Sequence, residues 1–220
     1  MAPVASGVTT IAAARCGPPD GPGYSPERSF HGVQQLRSDH VSTTDGTGEG
    51  GCVIESPRLR LRRQRPSDER DLIALDSDPD VMRYVGSPAG PRSPDETAER
   101  VRQRIHEEQG PLGFWVVESR GDGGFVGLCA LIRMPTGDDI ELAYRLARPT
   151  WGQGVATEAA RALLEYAFCV VELPKVVAVT YPENRASQRV LEKLGFVPQG
   201  FVDYKGVHAA HYVITREAWK

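Results

Sequence analysis

No stretch of the 220-residue chain holds the roughly 18 to 20 consecutive apolar residues that a membrane-crossing helix needs, so nothing in it reads as a transmembrane segment. An excess of basic charge is missing as well. Against 29 Asp plus Glu stand 26 Lys plus Arg, a formal net charge of −3, which leaves no global positive field for a phosphodiester backbone and speaks against nucleic acid as the main partner. Cys16, Cys52, Cys129 and Cys169 form no CxxC pair, and a chain of this length builds a core without staples, so they read as free thiols in a reducing cytoplasm. Histidine is sparse: His208 and His211 share a strand-like segment without Cys or carboxylate neighbours at ligand spacing, and no metal is expected. MAPVASGVTTIAAARC offers neither a basic n-region nor a continuous apolar h-region with a clean cleavage site, so a cytoplasmic location is expected rather than export. There is no GxxxxGK[ST] loop for nucleotide hydrolysis and no GxSxG nucleophile elbow.

What is present divides in two. Residues 1–52 are dominated by Gly, Pro, Ser and Thr, with apolar residues at neither a helical nor a strand period. Such a stretch buries too little surface to offset its ordering entropy, so disorder is expected, either as a partner-binding tail or as an extension without a role. From Val53 the pattern alternates between strand and helix without internal repeats, and residues 53–220 read as one mixed α/β domain.

In PRLRLRR, Leu59 and Leu61 share one face and Arg58, Arg60 and Arg62 the other, the period of a half-exposed strand. Helical spacing from Ser67 carries Leu72, Ile73 and Leu75, with a short turn through Pro79, Val81 and Met82, until the loop Gly86 to Pro91 breaks it. Ser93 before Pro94, Asp95 and Glu96 starts a helix with Ala98, Val101 and Ile105 as its buried stripe. Strand-like runs at 114–117, 125–132 and 140–146, separated by turns, predict an antiparallel meander. In the last run Ile140, Leu142, Tyr144 and Leu146 share one face and Glu141, Ala143 and Arg145 the other. A helix over 155–170, a buried strand at 176–181, a helix capped by Asn184 and carrying Ala186, Val190, Leu191 and Leu194, and strands at 196–203 and 208–215 complete the reading.

Between the third strand of the meander and the long helix stands WGQGVA, residues 151–156. Gly152 and Gly154 permit a tight turn whose N–H groups converge on an anion, and the helix adds its own unsatisfied donors and positive dipole end, which suits a pyrophosphate. A plain structural turn stays open, since GxG before a helix is a short signal. A dinucleotide fingerprint would need Gly or Ala where Thr157 stands.

AYRLARPTWGQGVATEAARALLEYAF, followed by NRASQRVLEKLGF at 184–196, resembles the GNAT superfamily of acyl-CoA-dependent N-acetyltransferases, most closely the branch of the RimJ and RimL ribosomal-protein acetyltransferases. The resemblance spans residues 53–220. It implies an α/β (α+β) GNAT fold, a central mixed, mostly antiparallel twisted sheet flanked by helices. It also implies acetyl-CoA as co-substrate with no metal, and acetyl transfer to a primary amine on a small molecule or a protein N-terminus. The family's diphosphate loop falls on Trp151, Gly152, Gln153, Gly154, Val155, Ala156 and Thr157. Trp151 stands where the general pattern has Arg or Gln, so the grip is expected from backbone donors. The preceding strand would pair with the pantetheine arm along Tyr144, Arg145 and Leu146, and Asn184 and Ser187 match the NxxS positions beside that arm and the sulfur. Asn184 also serves as a plain N-cap.

The implied chemistry is direct attack of the amine on the thioester. Glu141 is the candidate base, since a carboxylate in a partly dry cleft has its pKa raised toward neutrality; a structural ion pair with Arg145 is the other reading. Many relatives carry a Tyr that protonates the leaving thiolate one helical turn beyond the NxxS position, where this chain has Leu191. That leaves Ser187, a water or the solvent. Relatives often have an Asp after the last turn Gly, and this chain reads GVHAAHY there. Tyr84, Trp115 and the loop 86–91 either line the acceptor opening or pack in the core. An acyl-CoA-binding sensor without turnover is the competing function, and the oligomeric state is open, a homodimer included.

Overall fold

A computed structural model of the protein describes residues 10–12, 53–86, 90, 92–106 and 110–219. One sheet organises them. Its strands are β1 (Thr10–Ala12), β2 (Val53–Glu55), β3 (Leu59–Arg63), β4 (Gly113–Ser119), β5 (Phe125–Arg133), β6 (Ile140–Leu146), β7 (Lys175–Thr180), β8 (Val197–Tyr204) and β9 (Val207–Thr215), in the order β1-β2-β3-β4-β5-β6-β7-β9-β8. Only β1–β2 and β6–β7 pair in parallel. The sheet is therefore mixed and mostly antiparallel, as the resemblance implies. Of residues 1–52 only the Thr10–Ala12 backbone is described, as an edge neighbour of β2; the rest of the expectation for that stretch, with Cys16 and Cys52, lies outside the described residues. Among the described residues, Cys129 and Cys169 take part in no disulfide.

The alternation of side chains along each strand gives the sheet two faces, each covered by helices. Helices α1 (Glu69–Ser77), α2 (Pro79–Met82) and α3 (Pro94–His106) cover one, where Leu72, Leu75, Val81 and Val101 pack with Val116 and Leu128. Helices α4 (Val155–Cys169) and α5 (Arg185–Lys193) lie on the other, where Ala159, Ala160, Leu163, Leu164 and Phe168 join Leu61, Trp115, Leu142 and Val176 in the main core. The expected helix start at Ser93 takes the form of a capping box: the Glu96 N–H donates to Ser93 Oγ at 3.3 Å and the Ser93 N–H to Glu96 Oε2 at 3.1 Å. Among the described residues no helix is long and apolar enough to cross a membrane.

Some side chains sit differently from the periodicity reading. Arg62, expected on the exposed face of its strand, is buried, donating to Asp68 at 2.7 and 2.8 Å and to Glu118 at 2.8 Å. Ala186 is exposed, because α5 turns Gln188, Leu191 and Leu194 inward. Gln188 is held there by donating to the Pro182 carbonyl at 2.8 Å.

Gly127 fixes how closely β5 and β6 approach. A Cβ there would overlap the Arg145 carbonyl oxygen and come within 2.7 Å of Leu146 Cα, backbone atoms with no room to yield. Gly127→Ala is expected to cost about 1–3 kcal/mol, read as a lowered melting temperature with the loss at the upper end of that range.

Candidate active site

Strands β6 and β7 share a single described bridge, Glu141 with Val177. Beyond it they part toward their C-terminal ends, each of which leads into the start of a helix, α4 after β6 and α5 after β7. A gap between parallel strands, flanked by two helix N-termini, is the place where an α/β sheet accepts a ligand.

The bend between β6 and α4 opens with a tight turn in which the Thr150 and Trp151 N–H groups donate to the Ala147 and Arg148 carbonyls, and side chains brace it. The Trp151 indole N–H donates to the Leu146 carbonyl at 2.7 Å, Gln153 Nε2 to the Pro149 carbonyl at 2.8 Å and Thr150 Oγ1 to the Ala147 carbonyl at 2.7 Å. Gly152 and Gly154 both have positive φ, 75° and 76°, the left-handed region that favours glycine. Trp151–Gly154 form a turn, and none of the N–H groups from Gly152 to Thr157 makes a close, well-aligned hydrogen bond to another described backbone or side-chain group. A run of unsatisfied amides through two left-handed glycines into a helix start is an anion nest. The bend fits a diphosphate, and Trp151 props the nest open instead of gripping the anion.

On the α4/α5 face of the gap, the hydroxyls of Tyr144 and Ser187 lie 3.0 Å apart. Burial pushes the Tyr144 phenol up to about 12, against the hydrogen bond with Ser187. The Ser187 N–H donates to Asn184 Oδ1 at 3.1 Å, so Asn184 does cap α5. Leu191 is buried in the core and offers no hydroxyl.

Glu141 lies on the opposite face of the sheet, 5% exposed, and accepts a hydrogen bond from the Tyr204 hydroxyl at 2.9 Å. Burial raises its carboxyl to about 7, a shift only partly opposed by the Tyr204 hydrogen bond and the nearby Lys205 charge. Arg145 is not its partner. The Arg145 guanidinium turns to α1 and donates to Asp76 at 2.5 and 2.9 Å, which leaves Glu141 without a cation of its own strand.

The turn after α2 lies over the end of β7. Tyr181 donates to the Gly86 carbonyl at 3.0 Å, and the Tyr84 and Tyr181 rings are 5.9 Å apart. Tyr84 thus stands at the mouth of the gap, while Ser87, Pro88, Ala89 and Pro91 of the expected acceptor loop lie outside the described residues. Trp115 belongs to the core: it is fully buried, edge-on to Tyr166, with the Arg63 guanidinium 3.7 Å above its ring. The sequence alone does not reveal Tyr204 and Asp76, which reach Glu141 and Arg145 from distant segments that no local spacing connects. No group of three or more His, Cys, Asp or Glu suited to a metal ion occurs among the described residues.

The family model of the acetyltransferase (GNAT) domain matches residues 58–197. The chain belongs to the GNAT acetyltransferase family. Over 146 residues it is 37% identical to the uncharacterized protein YkkB of Bacillus subtilis, covering 64% of this chain and 83% of that one. It is 32% identical over 183 residues to the FsC-acetyl coenzyme A-N(2)-transacetylase of Aspergillus fumigatus, 76% of this chain and 77% of that one. The GNAT fold is shared with the solved structure of the ribosomal L7/L12 α-N-protein acetyltransferase RimL in complex with coenzyme A, with a TM-score of 0.63 at 20% identity over 76% of this chain and 99% of that one. These likenesses agree with a RimJ/RimL-like branch.

Proposed function

We propose that this GNAT domain transfers the acetyl group of acetyl-CoA to a primary amine, borne by a small molecule or by a protein N-terminus. The observation that carries the reading is the run of unengaged amides from Gly152 to Thr157 at the mouth of a gap between parallel strands. Acetyl-CoA would supply an activated acetyl thioester, its diphosphate on those amides and its pantetheine arm along Tyr144, Arg145 and Leu146. The likeness to an N(2)-transacetylase and to an α-N-protein acetyltransferase supports an amine as acceptor.

The residues divide the work across the sheet. Glu141 faces the side of α1 and α3, where the amine would enter, and takes its proton as the nitrogen–carbon bond forms. With a pKa of about 7 it is ionised at mildly alkaline pH yet basic enough to be a useful acceptor. An α-amino group, with a free pKa of about 7.7 to 8.0, needs little such help, whereas a lysine at about 10.4 needs more. Ser187 and Tyr144, on the other face, donate hydrogen bonds to the sulfur that keeps the electron pair when the carbon–sulfur bond breaks. A phenol thereby reaches the sulfur side from β6 in a chain that has Leu191 on the helix. A cytoplasmic location belongs to the same proposal.

Thiol release from acetyl-CoA, measured with the full-length protein against peptides beginning with Ala or Ser, amino acids and polyamines, tests the reading. Saturable turnover is expected with at least one of them. Saturable coenzyme A binding with no thiol release on any amine would make the domain a binding module instead.

A further inference from the structure

We infer that Arg58, just before β3, is a ligand for the diphosphate of acetyl-CoA, offering the loop a guanidinium donor and neutralising the acid beside it. The inference rests on the loop reading above and adds to it a side chain far away in sequence.

Arg58 is tied to the loop and to the first turn of α4 by three of its nitrogens. Its backbone N–H donates to Glu158 Oε1 at 2.8 Å, its Nε to Glu158 Oε2 at 2.6 Å, and its Nη1 to the Gln153 carbonyl at 3.1 Å. The remaining terminal nitrogen, Nη2, has no described acceptor and lies 3.7 Å from the point where a Cβ on Gly154 would be. Half of the side chain is exposed to the solvent from which a ligand would arrive.

Glu158 explains why a cation is needed here. An acid in the first turn of α4 suits the helix dipole but would repel an incoming diphosphate. Burial pushes its carboxyl up, yet hydrogen bonds from the Arg58 N–H, the Ser56 hydroxyl at 2.8 Å and the Arg58 guanidinium more than reverse this, so it stays ionised. Arg58 cancels that charge and fixes its own fork in place. A guanidinium held by two nitrogens, with the third beside Gly154 and without a described acceptor, is pre-organised for a phosphate oxygen. As a structural ion pair alone, at a half-exposed site, the same contact would add little to stability.

The test is a set of calorimetric titrations of the full-length protein and its Arg58→Gln and Arg58→Lys variants with coenzyme A, 3′-dephospho-coenzyme A and pantetheine, alongside melting curves. Arg58→Gln is expected to weaken both nucleotide ligands by about tenfold or more and to leave pantetheine binding unchanged, with KM for acetyl-CoA rising and kcat nearly constant. Arg58→Lys keeps the charge without the fork, protects the fold, and is expected to lose less, again only for the nucleotide ligands. Equal losses for pantetheine, affinities within about twofold of the parent, or a loss seen with coenzyme A but absent with the dephospho form would each overturn the assignment. A parent protein that binds pantetheine as well as coenzyme A would instead sink the loop reading itself.

Discussion

Gly154→Glu is expected to abolish measurable coenzyme A binding while leaving a folded protein. Three effects act together. The backbone at φ 76° is a left-handed position, where a side chain costs about 1–2 kcal/mol. The new carboxylate would stand next to the Arg58 guanidinium, the nearest group to a Cβ at that position, and would take the place of the anion. Its charge would then face a diphosphate of the same sign in the nest. Since the neighbourhood is otherwise open, the fold has room for the change, and Arg58 gives the new acid a partner. Gly154→Ala introduces the backbone strain alone and is expected to bind with a modest loss. Titration calorimetry with circular-dichroism melts separates the two variants: a folded Gly154→Glu protein of unchanged affinity would place the diphosphate elsewhere.

Glu141→Gln is expected to lower kcat/KM by about 10²–10⁴, without the loss of stability that removing a structural ion pair would bring. The sign of the pH effect makes the distinction sharp. The Glu141 carboxyl has a folded pKa of about 7, above its ordinary value of 4.5, because it is buried. Between those values the folded chain holds a proton that the unfolded chain has released, so its contribution to stability falls as pH rises from 4.5 through 7. Glutamine has no charge to bury, so the variant is expected to melt at or above the parent at pH 8, while the two converge near pH 5. Activity runs the other way. The parent needs the ionised carboxylate, so kcat/KM is expected to fall about tenfold per unit as pH drops below about 7, and the variant loses that limb. An unchanged acid limb in the variant would assign it to the amine substrate and remove Glu141 from the chemistry.

The local period of the sequence revealed the meander β4–β6, the capped start of α3, the faces of β6 and the glycine bend, since each depends on residues close together in the chain. It placed Glu141 on the face opposite Tyr144, which is where both are found. What covers each face was not legible. Arg145 looked like a partner for Glu141 two residues away, but Asp76 on α1 takes it, and Tyr204 from the last hairpin takes Glu141. Arg62 reads as an exposed arginine because an alternating pattern carries no sign of the acids Asp68 and Glu118 that fold against it. Arg58 is invisible for the same reason: its contact with Gln153 joins positions separated by the greater part of the domain. The WGQGVA bend shows that a nest is permitted, while the groups that hold it open, Trp151 on Leu146 and Arg58 on Gln153, come into view only with the coordinates. A buried side chain also requires a rotational setting of its helix that periodicity fixes only coarsely, which is why Ala186 points outward and Gln188 inward.

The most direct measurement follows the backbone amides of the full-length protein by two-dimensional ¹⁵N–¹H spectra as coenzyme A is added. Saturable shifts centred on Gly152, Gly154, Val155 and Ala156, absent when pantetheine replaces coenzyme A, are the expected result. Saturable binding that leaves those amides unmoved would contradict the account.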